Sequence, residues 1–206
     1  MKGSSKMIRN IVFDFGNVLV NFHPEEYVRP LVNSDEEAKA LSDLVFLHPI
    51  WKDGDLGRKN REEIIRGMGE IYPEKAELIR QVIAPSNEML TMPDDIPLFL
   101  HELQEKGYHL YYISNTNDSA YTWMRAHYPI MTELEGGIAS FQEGILKPSR
   151  EIFQLLLNRY NLKAEECLFV DDMPENTRGA EEVGYQSLTL PGADHLRRCL
   201  TDRLGL

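Results

Sequence analysis

Residues 10–15, Asn-Ile-Val-Phe-Asp-Phe, form an apolar run without the alternation of a half-exposed strand. A strand of that kind needs cover on both faces, which is the condition inside a parallel sheet. Similar short runs recur over residues 108–114, 138–141, 167–171 and 186–190. Helical patterns lie between them. Residues 96–106 place Phe99, Leu100 and Leu103 at helical spacing and stop at Gly107. Residues 150–160 carry Ile152, Phe153, Leu156, Leu157 and Tyr160 behind a Ser149 N-cap, and residues 177–183 end at Gly184. Strands alternating with helices predict an α/β fold with a doubly wound, mostly parallel sheet.

Residues 22–91 break this alternation. Helices are expected over 25–31, 35–47, 61–71 and 74–83, punctuated by Pro24, Pro49, Pro73 and Pro85. The expected organisation is a core of residues 1–21 and 92–206 with a small helical insert, 22–91, after the first strand. The insert would rejoin the core through Ala84-Pro85-Ser86 and Met92-Pro93-Asp94. A chain of 206 residues buries about 70% of its extended surface, enough for this arrangement.

Charge and cysteine usage narrow the function. Thirty-three acidic against 22 basic residues give a formal net charge of −11, with no basic cluster. Binding to a nucleic acid backbone or an anionic membrane surface is therefore not expected. Cys167 and Cys199 show no paired spacing, so neither a disulfide framework nor a structural zinc site is expected. The polar N-terminus does not read as a secretory leader, and no apolar stretch is long enough to span a bilayer. A cytoplasmic protein is the expectation; oligomeric state is not encoded in these features.

The candidate chemistry lies where strands end. Asp14 closes the first run, Ser114-Asn115 the second, Lys147 follows the third, and Asp171-Asp172 close the fourth. In open α/β sheets ligands bind beyond the carboxyl ends of the strands, so the topology would gather these residues at one rim. Carboxylates, a lysine and helix N-termini together suit a divalent cation and a phosphoryl group, and oxygen ligands suit Mg²⁺.

Phe13-Asp14-Phe15-Gly16-Asn17-Val18-Leu19, Ile113-Ser114-Asn115-Thr116, Leu146-Lys147-Pro148 and Phe169-Val170-Asp171-Asp172 with Asn176 resemble the four ordered motifs of the haloacid dehalogenase-like (HAD) hydrolase superfamily. The insert resembles that family's C1 cap, and the Asp-x-Gly-Asn-Val start is similar to bacterial sugar-1-phosphate phosphatases. The resemblance implies an Asp14 nucleophile that forms an aspartyl-phosphate, and Mg²⁺ held by Asp14, the Gly16 carbonyl and Asp172 with Asp171 in support. It also implies that Ser114 and Asn115 bind the phosphoryl oxygens while Lys147 neutralises charge. The substrate that the resemblance implies is a small phosphorylated metabolite, a sugar phosphate in this family context.

One position departs from the pattern. Most phosphatases of this family carry a second Asp two residues after the nucleophile, as the acid for the leaving alcohol; here that residue is Gly16. An anomeric leaving group needs less protonation, so sugar 1-phosphates are the expected class, with His23 and Asn21 as candidate substitutes for the acid. Two other readings follow from the same residues. A dehalogenase is disfavoured by Asp171-Asp172, and a lapsed enzyme that only binds a phosphometabolite or a protein is disfavoured by intact Asp14, Lys147 and Asp172.

Overall fold

The computed structural model describes residues 7–206; the polar start, residues 1–6, on which the leader argument rests, lies outside them. Five strands, β1 (Asn10–Phe13), β2 (His109–Ser114), β3 (Gly136–Ala139), β4 (Cys167–Asp171) and β5 (Gln186–Thr189), form one sheet in the order β3-β2-β1-β4-β5. Every pairing is parallel, with Phe13 opposite both Tyr112 and Val170. The sheet is doubly wound, as expected.

Period-two alternation divides the side chains between two buried layers. Ile11, Phe13, Leu110, Tyr112, Leu168 and Val170 face one side. There they meet α6 (Ile96–Glu105), α7 (Asp118–His127) and α11 (Leu196–Leu204) through Phe99, Leu100, Leu103, Met124, Leu196 and Leu200. Val12, Tyr111, Ile113, Ile138 and Phe169 face the other, against α9 (Arg150–Tyr160) and α10 (Pro174–Glu181).

Between β1 and α6 the chain forms α1 (Pro24–Val28), α2 (Asp35–Phe46), α3 (Pro49–Asp55), α4 (Arg61–Ile71) and α5 (Ala76–Ile83). These helices share their own buried cluster, which includes Val28, Leu41, Val45, Ile64, Met68, Ile79 and Ile83. Local signals set the helix starts. Ser34 Oγ accepts from the Glu37 N–H at 3.2 Å, and Asn60 and Glu63 form a reciprocal capping box at 2.8 and 3.0 Å. The outgoing and returning strands of chain lie side by side, because Asn21 N–H donates to the Thr91 carbonyl at 2.7 Å.

Several boundaries differ from the sequence expectation. The first strand stops at Phe13, because the Phe15 carbonyl collects the N–H groups of Val18, Leu19 and Val20 in a tight turn. The third ends at Ala139, and α8 (Ser140–Glu143) takes over the apolar Phe141. The helix expected over 25–31 is α1 followed by a 3₁₀ turn, Arg29–Leu31, at Pro30, which cannot continue the helical ladder. Among the described residues no helix is long and apolar enough to cross a membrane.

Candidate active site

All five strands point the same way, so their carboxyl ends share one rim. The chain leaves β1 toward β2 on one side and returns to β4 on the other, which makes β1 the topological switch point. Asp14 stands there, its N–H donating to the Val170 carbonyl at 2.9 Å. After it, Asn17 adopts a left-handed φ of 54°, a conformation that asparagine tolerates. The turn aims the Asn17 carboxamide both ways: Nδ2 donates to Asp172 Oδ2 at 3.0 Å, and Oδ1 accepts from the Phe22 N–H at 2.9 Å.

Lys147 is 5% exposed, and its Nζ lies 2.8 Å from Asp14 Oδ1 and 2.6 Å from Asp171 Oδ2. Its backbone is clamped by Asn115, which accepts from the Lys147 N–H and donates to the Lys147 carbonyl. The peptide between Lys147 and Pro148 is cis. Asp171 is fully buried, and both its oxygens are engaged. Oδ1 accepts from the Met173 N–H at 2.8 Å and Asn176 Nδ2 at 3.0 Å; Oδ2 accepts from Asn176 Nδ2 at 3.1 Å in addition to Lys147.

Oxygens of Asp14, Asp171 and Asp172 all lie within 4.8 Å of one another. Burial pushes the Asp14 carboxyl up to about 6; Lys147 opposes the rise, and Asp171 and Asp172 add to it. Burial works against the charge on Lys147, yet Asp14 and Asp171 hold its pKa above the ordinary lysine value. Burial also raises Asp172, against the Asn17 hydrogen bond. Three carboxylates facing one ammonium leave two uncompensated negative charges when all are ionised. Asp14 Oδ1 touches Lys147 Nζ but receives no aligned hydrogen bond among the described residues, although it is buried. An all-oxygen cluster with excess negative charge fits a hard dication such as Mg²⁺.

The cluster opens on a cavity of about 500 Å³ that Gly16, Ser114, Asn115, Lys147 and Asp172 line from the sheet side. Phe22, Phe46, Trp51, Lys52 and Asp55 line it from the helical insert. A second cavity, of about 490 Å³ beside Trp51 and Arg61, contains neither Asp14 nor Lys147. The sequence-selected residues Asp14, Gly16, Ser114, Asn115, Lys147 and Asp172 thus share one cavity wall, with Asp171 directly behind Lys147. The Asn115 carboxamide is committed to the Lys147 backbone, so the part of Asn115 left for a phosphoryl oxygen is its main chain.

His23 and Asn21 do not line the cavity. His23 is exposed at the start of α1, and Asn21 Nδ2 donates to Thr91 Oγ1 at 3.2 Å. Trp51 packs edge-on against Phe46, with ring centroids 4.8 Å apart, and reaches the cavity as well. Arg58 is turned to Asp53. Burial drives the Cys167 thiol up to about 12, in keeping with a small buried hydrophobe. Sequence reading misses Asn17 as the residue that orients Asp172, and it misses Asp55. The Asn after Gly16 is a usable signal for the first; for the second no local pattern exists.

Comparison with known proteins agrees with this geometry. A family model described as haloacid dehalogenase-like hydrolase matches residues 8–184. A D-ribitol-5-phosphate phosphatase of Bacteroides thetaiotaomicron is 26% identical over 205 residues, covering 95% of this chain and 98% of the relative. A sesquiterpene phosphatase of Aspergillus oryzae, astK, is 24% identical over 92% of both chains. Among solved structures, an enzyme of the same family from Bacteroides thetaiotaomicron, in complex with magnesium and inorganic phosphate, superposes with a TM-score of 0.70. It is 25% identical, over 88% of this chain and 93% of its own. With its four motifs assembled on one rim and the family model spanning most of its length, the chain belongs to the haloacid dehalogenase-like hydrolases.

Proposed function

We infer that the chain is a Mg²⁺-dependent phosphatase of small phosphorylated metabolites that works through an aspartyl-phosphate on Asp14. The observation that carries this reading is the buried contact of Lys147 Nζ with Asp14 Oδ1 at 2.8 Å, beside Asp172. An ammonium there lets an anionic nucleophile approach an anionic phosphoryl group, and its attraction is stronger in a desolvated site than in water. An Asp14 oxygen bonds to phosphorus as the bond from phosphorus to the leaving oxygen breaks. Water then attacks the aspartyl-phosphate, releasing inorganic phosphate and restoring the carboxylate. Ser114 and the backbone N–H of Asn115 suit the phosphoryl oxygens. Asp171, with both oxygens engaged, positions Lys147. Asp14, the Gly16 carbonyl and Asp172 would hold Mg²⁺, which when bound neutralises charge on the transferring group.

Residues 22–91 act as a cap on a core of residues 1–21 and 92–206, excluding water and selecting the leaving group. A sugar or polyol phosphate is the favoured class, in line with the ribitol phosphate named for one relative. The apolar wall of Phe22, Phe46 and Trp51 favours a second reading, a phosphate ester with a hydrocarbon leaving group. Two unpaired cysteines, Cys167 and Cys199, suit a reducing cytoplasm.

Hydrolysis of p-nitrophenyl phosphate with Mg²⁺ or with EDTA, by wild type and Asp14→Asn, tests the chemistry. Activity that needs Mg²⁺ and disappears in the variant is expected; equal rates for the two proteins would remove Asp14 as nucleophile. A screen of sugar, polyol and terpenyl phosphates then decides between the leaving groups.

A further inference from the structure

Gly16 leaves the leaving oxygen without the usual proton donor, so the rest of the cavity wall is where such a group must be found. Besides the Asp14–Lys147–Asp171–Asp172 cluster, the ionisable side chains lining the cavity are Lys52, Asp55 and Glu175. Lys52 is exposed, and so is Glu175, on the first turn of α10 at the solvent edge. Asp55 differs from both. It is the last residue of α3, half-buried, and it lines the cavity.

The end of α3 is fixed to the core at three points. Ser140 Oγ donates to the Asp55 carbonyl at 2.6 Å while accepting from the Thr116 N–H at 3.0 Å. The Asn117 side chain lies beside the Asp55 carboxyl and favours its charged form. Gly57, at φ 70°, approaches α8 so closely that a Cβ there would stand 2.1 Å from the Phe141 carbonyl oxygen. Asp55 is thereby anchored beside the Ser114–Asn117 loop.

We propose that Asp55 is the general acid of the reaction, protonating the leaving oxygen as Asp14 attacks phosphorus. This proposal rests on the phosphatase reading above. As the Asp14–phosphorus bond forms and the ester bond breaks, the Asp55 proton passes to the leaving oxygen and the alcohol departs. In the second half, the Asp55 carboxylate takes a proton from water as that water attacks the aspartyl-phosphate. Inorganic phosphate leaves, and both carboxyl groups return to their starting states. Burial pushes Asp55 up to about 7, against Asn117 and the Lys52 charge, so both forms are accessible near neutrality. α3 itself presents Lys52; the adjoining core loop and α8 present the neutral Asn117 and Ser140. With such an acid, phosphates of ordinary alcohols are competent substrates, and the anomeric restriction expected from Gly16 loses its ground.

The test compares phenyl phosphate, a poor leaving group, with p-nitrophenyl phosphate, a good one, in the full chain with Mg²⁺. Asp55→Asn is expected to lower kcat/KM about 10²-fold or more for phenyl phosphate and less than about tenfold for p-nitrophenyl phosphate. Gly16→Asp in the Asp55→Asn background is expected to recover part of the loss. In wild type, kcat/KM for phenyl phosphate should fall as pH rises through about 7, with a much weaker fall for p-nitrophenyl phosphate. This wild-type comparison holds even if the variant folds poorly. Equal losses on both substrates, no loss on either, a matching fall of both wild-type profiles, or a leaving-group effect in Glu175→Gln instead would overturn the assignment. Activity that survives Asp14→Asn would sink the phosphatase reading itself, separately from Asp55.

Discussion

Asn115 and Lys147 hold each other through two opposed hydrogen bonds: the Asn115 carboxamide accepts from the Lys147 N–H at 2.8 Å and donates to the Lys147 carbonyl at 3.1 Å. This pair ties the loop after β2 to the residue before Pro148. Asn115→Ala removes both bonds and is expected to destabilise the chain by roughly 1–3 kcal/mol. Because the ammonium loses its fixed origin, kcat should fall more than KM rises. Urea unfolding and steady-state kinetics with p-nitrophenyl phosphate check the two effects.

Lys147→Met tests the ammonium itself. The substitution keeps the volume and leaves Asp14 and Asp171 buried without their partner. Removing one member of a buried ion pair costs about 3–5 kcal/mol, relieved here to the extent that a carboxyl takes up a proton. Phosphatase activity should vanish. A variant as stable as wild type would show that the pair is solvated in solution.

Asp171 and Asp172 are neighbours with separate expected phenotypes. Asp171→Asn loosens Lys147 and should lower kcat with little change in the Mg²⁺ requirement. Asp172→Asn should raise the half-saturating Mg²⁺ concentration about tenfold or more, on the usual scale for loss of a metal contact. Without Mg²⁺ the same variant should melt higher than wild type, because it removes a charge whose burial, with the nearby Asp171 charge, raises the Asp172 pKa. Melting curves with and without Mg²⁺ give the comparison; ligand binding to the native state adds stability to wild type.

Two glycines give contrasting forecasts. A Cβ at Gly16 meets nothing nearer than Phe22 Cβ at 3.6 Å, ordinary packing, so Gly16→Ala should change stability by less than about 1 kcal/mol. Gly57→Ala would meet both a positive φ and the Phe141 carbonyl, so a loss on the order of 2–3 kcal/mol is expected. Thermal melting of the two single variants checks the ranking.

Asp55 also links stability to pH. Its folded pKa of about 7 lies above the unfolded reference of 3.8, so the folded chain holds the proton more tightly. That contribution is fully present below pH 3.8 and is lost as pH rises through about 7. Asp55→Asn should therefore gain stability over wild type between pH 5 and pH 8, by roughly 1–3 kcal/mol once cavity water is allowed for. Melting temperatures at those two pH values measure the difference.

The sheet was legible because β1, β2 and β4 are covered on both faces, and their apolar runs announce that burial directly; the half-buried edge strand β5 gives a weaker signal. The rim residues were legible for a related reason: a polar residue ending such a run has little structural purpose there. Helix α3 was not legible, since Pro49 and Gly54 in a seven-residue segment leave no helical period to read. The end of β3 at Ala139 is followed by Ser140, whose contacts with Thr116 and Asp55 come from far away in sequence. Asn17 and Asp55 owe their importance to similar long-range partners, which composition and spacing do not reveal.

Asn21 and Thr91, joined backbone to backbone and again through their side chains, are where the chain passes out of the sheet layer and back into it. Both passages lie at one spot, so one pair of residues sets where helices α1–α5 join the sheet layer. On the reading of Asp55 as the acid, the bond from Ser140 to its backbone carbonyl holds that carboxyl at the cavity wall.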